Sequence, residues 1–110
     1  MKYFGIFDEK SVCNLKLKGE KTILIRILEP NNITKIPINN IDDYIDVLEL
    51  YIYDYVNKVN DNILNKNFFL LNQFILNNNF DEIIVHCSLG ISRAPAIFWT
   101  IYIYNKRNTW

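Results

Sequence analysis

Two stretches of the chain are apolar at nearly every position: Thr22-Ile23-Leu24-Ile25-Arg26-Ile27-Leu28 and Glu82-Ile83-Ile84-Val85-His86. Both are short and rich in β-branched residues, which predicts strands buried on both faces. Pro30 closes the first. Val47 to Tyr53 alternates and is rich in Tyr and Ile, a third strand, and Lys2 to Ile6 fits a short fourth. Between the third strand and Glu82 the period changes. Ile63, Leu64, Asn67/Phe68, Leu71, Phe74 and Ile75 recur at i, i+3 and i+4, the stripe of an amphipathic helix. Asn60, Asp61 or Asn62 can cap it, and Asn77-Asn78-Asn79 ends it. Asp8 or Ser11 can cap a shorter helix with Val12 and Leu15 on its inner face, stopped at Gly19. Asn31 to Asn40, with Pro37 inside, reads as loop, and Ile41 to Asp46 as a helical turn. From Ala94 to about Tyr104 the chain is apolar nearly all round, which predicts a buried last helix.

Helices alternating with doubly apolar strands predict an α/β fold. The expected architecture is a small three-layer domain: a mostly parallel four-stranded sheet with helices on both faces. No Pro/Gly-rich break or repeat divides the chain, so residues 1–110 are expected to form one domain. In parallel sheets ligands bind beyond the carboxyl ends of the strands. That directs attention to the segment after Val85.

Composition narrows the function. Lys plus Arg equals Asp plus Glu at 12 each, so the net charge is zero. Broad nucleic-acid binding needs a basic excess and is not expected. A single small anion site is compatible with neutrality. Half the residues are hydrophobic, enough for a core that needs neither metal nor disulfide. Two cysteines, Cys13 and Cys87, make no disulfide framework. The N-terminal apolar stretch meets Asp8 and Glu9 too early for a signal peptide, and the run Ala96 to Tyr104 is too short to span a bilayer. A cytoplasmic protein with free thiols and no membrane association is the expectation.

The segment after Val85 reads His86-Cys87-Ser88-Leu89-Gly90-Ile91-Ser92-Arg93-Ala94-Pro95. A Cys and an Arg six positions apart frame a loop between a strand and a helix. Such a loop can curl its backbone N–H groups inward, and with the positive end of the following helix they form an anion cradle. Gly90 permits the turn, and Pro95 suits the first helical turn. Arg93 can grip two oxygens of a tetrahedral anion. Cys87 would lie at the floor of the cradle, where the same donors favour a thiolate, the nucleophilic form.

His86-Cys87-Ser88-Leu89-Gly90-Ile91-Ser92-Arg93 resembles the signature of the cysteine-dependent protein tyrosine phosphatase superfamily, in the style of its compact dual-specificity and bacterial branches. The resemblance is specific over Val85 to Ala96 and looser over Ile23 to Ile84. It implies that Cys87 forms a phosphocysteine and that Arg93 binds the phosphoryl group and stabilises its transition state. The backbone N–H groups of Ser88, Leu89, Gly90, Ile91, Ser92 and Arg93 would hold the phosphate. His86, the only histidine, would organise the loop and tune Cys87. It would not be a general base, because adjacent strand residues face opposite ways. No metal or cofactor is implied. The implied partner is a phosphorylated protein substrate carrying phosphotyrosine, with phosphoserine or phosphothreonine as further substrates. A non-catalytic phosphate-binding module, an RNA 5′-phosphatase, another small phosphomonoester as substrate, and rhodanese-like sulfur transfer are the alternatives.

The resemblance also implies a general acid, an Asp upstream on the rim that carries the cradle. Asp42, Asp43, Asp46, Asp54, Asp61 and Asp81 are the candidates. Asp54 is favoured because Leu50-Tyr51-Ile52-Tyr53-Asp54 reads as strand-then-Asp; Asp61 is the rival and doubles as a helix cap. One position departs from the family pattern: Ala94 stands where a Ser or Thr usually helps the thiolate leave. Trp99, Tyr102 and Tyr104 on the C-terminal helix, with Trp110 beyond it, read as packing residues; their concentration fits a minimal domain, a truncated one, or a face on which two copies pair. Cys13 is a small core residue or a resolving partner for an oxidised Cys87.

Overall fold

A computed structural model describes residues 2–28, 36–51 and 61–87. The elements are β1 (Tyr3–Asp8), α1 (Glu9–Val12), β2 (Thr22–Leu28), a single 3-10 turn (Ile41–Asp43), β3 (Asp46–Tyr51), α2 (Asp61–Leu76) and β4 (Glu82–Cys87). The strands form one four-stranded sheet in the order β1-β4-β2-β3. Every pairing among the described residues is parallel.

The two strands read as apolar on both faces are the two central ones. Every residue of β2 and of β4 is buried, whereas the edge strands β1 and β3 are only partly covered. One face of the sheet carries Ile23, Ile25, Ile27, Leu50, Ile83 and Val85 against Leu71, Phe74 and Ile75 of α2. The other face carries Leu24, Ile84 and Val47 against Val12, Leu15, Leu17, Ile38 and Tyr44. Successive strands thus move across the sheet in one direction over the second face and return over the first. Reversing both direction and face preserves the hand of the connection, as right-handed parallel crossovers require.

Local details differ from the sequence reading where pairing decides them. β1 continues through Phe7 and Asp8 because β4 offers partners as far as Cys87. α1 begins where expected: the Asp8 carboxylate caps it, accepting from the Ser11 N–H at 2.7 Å. It stops at Val12 rather than running toward Gly19. The backbone N–H groups of Lys18 and Gly19 donate to Glu82 Oε1, both at 2.9 Å, and cannot also serve a helix. Gly19 is required there, since a Cβ would run into the Asp81 carboxylate. Residues 36–40, around Pro37, form no helix or strand, in keeping with the loop assignment, yet Ile38 enters the core, as does Tyr44 at the end of the following 3-10 turn.

The predicted last helix, with Trp99, Tyr102 and Tyr104, and Trp110 after it lie outside the described residues. Among the described residues no helix is long and apolar enough to cross a membrane.

Candidate active site

Because all four strands are parallel, their carboxyl ends share one rim: Asp8, Leu28, Tyr51 and Cys87 finish there. Cys87 is the last residue of a central strand and pairs with Asp8 on β1. It is buried, 2% exposed, on the α2 side of the sheet. The rest of the predicted cradle, Ser88 to Arg93, lies outside the described residues, as do Asp54 and Ala94.

The parallel geometry sorts the candidate acids. Asp81 and Asp46 stand at the amino ends of β4 and β3, and Asp42 and Asp43 lie in the turn leading into β3. All four are at the edge opposite Cys87, too far round the sheet to reach a group bound beyond it. Asp81 has other work: its carboxylate accepts from the N–H groups of Lys21 at 3.0 Å and Glu20 at 3.2 Å. These bonds, Lys21 foremost, hold its carboxyl below the usual range.

α2 runs back against the strands. Asn67 Nδ2 donates to the Tyr51 carbonyl at 3.4 Å near one rim, and Asn78 Nδ2 reaches Asp46 Oδ2 at 3.2 Å near the other. The amino end of α2, where Asp61 sits, is therefore on the Cys87 side, and so is the end of β3 from which Asp54 follows. Asp8 stands on the same rim. Hydrogen bonds from Ser11, its hydroxyl foremost, lower the Asp8 carboxyl, which makes it a poor proton donor.

His86 is on the opposite face from Cys87, as strand alternation demands. It is fully buried and belongs to a row of four paired residues across the sheet: Phe7, His86, Arg26 and Glu49. Arg26 Nε donates to His86 Nε2 at 3.0 Å. Its terminal nitrogens donate to the Ile36 carbonyl at 2.7 Å and face Glu49 Oε2 at 3.7 Å. Burial, then the Arg26 charge, pushes the His86 imidazole down to about 4; the Cys87 main chain pulls weakly the other way without forming a well-aligned bond to Nδ1. His86 is therefore neutral at physiological pH.

Sequence reading missed Arg26. The signal was present as the one charged residue in an otherwise apolar strand core, since a buried guanidinium persists only where partners compensate it.

Cys13 caps the carboxyl end of α1, half-buried, with its thiol donating to the Glu9 carbonyl at 3.1 Å. Among the described residues no group of three His, Cys, Asp or Glu side chains is disposed to hold a metal ion.

Comparison of the chain with protein-family models, curated proteins and solved structures gives no significant match.

Proposed function

We propose that this protein is a cysteine-based phosphatase acting on phosphoprotein monoesters, phosphotyrosine first, with Cys87 as nucleophile and Arg93 as phosphoryl-binding cation. In this reading the domain is three-layered, cytoplasmic, and completed by a phosphate-binding loop between β4 and a last helix. The observation that carries the proposal is the run His86-Cys87-x5-Arg93 beginning on the last two residues of a central parallel strand. The carboxyl rim of such a sheet is where α/β folds bind ligands.

The chemistry proceeds in two displacements. The Cys87 thiolate attacks phosphorus; the S–P bond forms as the ester P–O bond breaks, and Asp54 gives its proton to the departing oxygen. Arg93 and the loop N–H groups take the charge gathered on the three equatorial oxygens. Water, its proton taken by the Asp54 carboxylate, then attacks the phosphocysteine. The S–P bond breaks, the thiolate returns and inorganic phosphate leaves. The step uses no redox partner.

A second reading is a phosphate-binding module without turnover, favoured by one observation: Ala94 in place of a hydroxyl residue. Aryl-phosphate hydrolysis across pH separates the two. Cys87→Ser should abolish turnover and retain oxyanion binding, while Arg93→Ala should lose both. Residual activity in Cys87→Ser above about 1% of wild type rules out covalent catalysis, because loss of an essential nucleophile costs several decades. Binding of phosphate with no hydrolysis in the wild type selects the second reading. Thiosulfate turnover would select sulfur transfer instead.

A further inference from the structure

Arg26 is 7% exposed, in a strand where every other residue is also buried. A guanidinium at such a place is stable only through its bonds, and one of them has an unusual consequence. Arginine carries donors and no acceptor. Its Nε–H can therefore meet only a lone pair, so His86 Nε2 must be the unprotonated nitrogen. The neutral imidazole then carries its single hydrogen on Nδ1. That nitrogen is buried and has no hydrogen-bond partner among the described residues. It belongs to the residue directly before Cys87, in a ring held at its far end by Arg26.

We infer that Arg26 is a positioning residue for Cys87: it locks His86 in the Nδ1–H tautomer and fixes a buried donor beside the main chain where β4 ends at Cys87. The Nδ1–H lies beside the Cys87 main chain, and the positive end of that dipole, fixed where β4 ends, favours negative charge on Cys87, the thiolate form. The catalytic part of this inference rests on the proposed function. The tautomer and its effect on Cys87 do not.

The remaining bonds of Arg26 serve the same end. Ile36 and Glu49 hold its two terminal nitrogens from two different segments, which leaves the Nε–H aimed along the row at His86. The row is a relay of fixed orientation with no proton transfer along it.

The chain has a single histidine, so 15N imidazole resonances are assigned without ambiguity. In the wild type at pH 7 the expected spectrum has Nδ1 protonated and Nε2 with the shift of a bare ring nitrogen. Arg26→Met should mix the two tautomers and slow iodoacetamide alkylation of Cys87, with weaker vanadate binding, each by about tenfold, the scale of one charge-assisted hydrogen bond. Arg26→Lys, which keeps the charge and a donor, should retain the Nδ1–H tautomer and most of the alkylation rate.

A wild-type spectrum with the proton on Nε2, or with a cationic ring, overturns the inference without any variant, so a poorly folded Arg26→Met cannot shield it. Equal loss of alkylation in both variants with no change of tautomer also overturns it, because that pattern belongs to a purely structural arginine. Absence of aryl-phosphate hydrolysis in the wild type would count against the phosphatase reading, whereas the tautomer and the alkylation rates would still decide the role of Arg26.

Discussion

Glu82 opens β4 by accepting the Thr22 hydroxyl at 2.7 Å on Oε1, joining the first residues of the two central strands. The same oxygen takes the backbone N–H groups of Lys18 and Gly19. One buried carboxylate thus replaces the helix hydrogen bonds that the 13–21 connection does not make. Glu82→Ala should leave one buried and two part-buried donors unpaired and cost about 2–3 kcal/mol. Glu82→Gln, which keeps an acceptor, should cost less than half of that. Urea unfolding with unchanged m-value checks both; equal loss in the two variants would mean that packing rather than hydrogen bonding sets the effect.

Tyr44 faces the same carboxylate without bonding to it. Its hydroxyl is buried and has no hydrogen-bond partner among the described residues, and burial, reinforced by the charges of Glu82 and Asp43, pushes it up to about 12. An unpaired buried hydroxyl costs roughly 1–3 kcal/mol. Tyr44→Phe keeps the ring and removes the cost, so it should raise the unfolding midpoint or leave it unchanged. A fall of more than about 1 kcal/mol would reveal a partner for the hydroxyl.

His86 should make stability fall with acid. Its ordinary value of 6.5 is lowered to about 4 in the folded protein, so below pH 6.5 the unfolded chain takes up a proton that the folded chain refuses. The contribution is complete above pH 6.5, is lost as pH drops toward 4, and amounts to about 3 kcal/mol at most. Asp8 and Asp81, both lowered, act in the same direction at lower pH. Comparing unfolding free energies of wild type and His86→Gln at pH 7 and pH 5 isolates the histidine: the gap between the two proteins should narrow on acidification. A constant gap would mean that His86 titrates normally.

Asp61 opens α2 on the Cys87 rim and Asp54 follows in sequence the end of β3 on that rim, so kinetics must separate them. Asp54→Asn should abolish the basic limb of the pH profile and lower kcat by roughly 10²–10⁴ for leaving groups that need a proton. Good leaving groups should show a smaller loss. Asp61→Asn should change kcat hardly at all: Asp61 is the first residue of α2, where loss of its charge costs only about 0.3–1 kcal/mol of stability. The reverse pattern would make Asp61 the acid.

Ala94 should slow the second displacement selectively. A hydroxyl there would give the departing thiolate one charge-assisted bond of roughly 1.5–3 kcal/mol, about ten- to a hundredfold in rate. The wild type should release a burst of phenol and then turn over slowly. Ala94→Ser should raise the steady-state rate and leave kcat/KM unchanged, because that ratio reports the first chemical step. No burst, with a silent Ala94→Ser, would mean that another group already assists the thiolate.

What the sequence by itself determined is what local pattern encodes. β2 and β4 declare their central position because residues buried on both faces must be apolar on both, and α2 declares itself by its 3.6-residue stripe. The Cys87-to-Arg93 run of the proposed site is legible for the same reason: a phosphate cradle of this kind would be built from consecutive residues. The tertiary structure decided what depends on partners distant in the chain. β1 reaches Asp8 and α1 stops at Val12 because β4, some seventy residues on, supplies the pairing strand and the Glu82 carboxylate. The edge that disqualifies Asp42, Asp43, Asp46 and Asp81 exists only once all strands prove parallel. Arg26 meets His86 across 60 positions of sequence because the register of β2 on β4 sets them side by side, and pairing register is a property of the assembled sheet rather than of either strand.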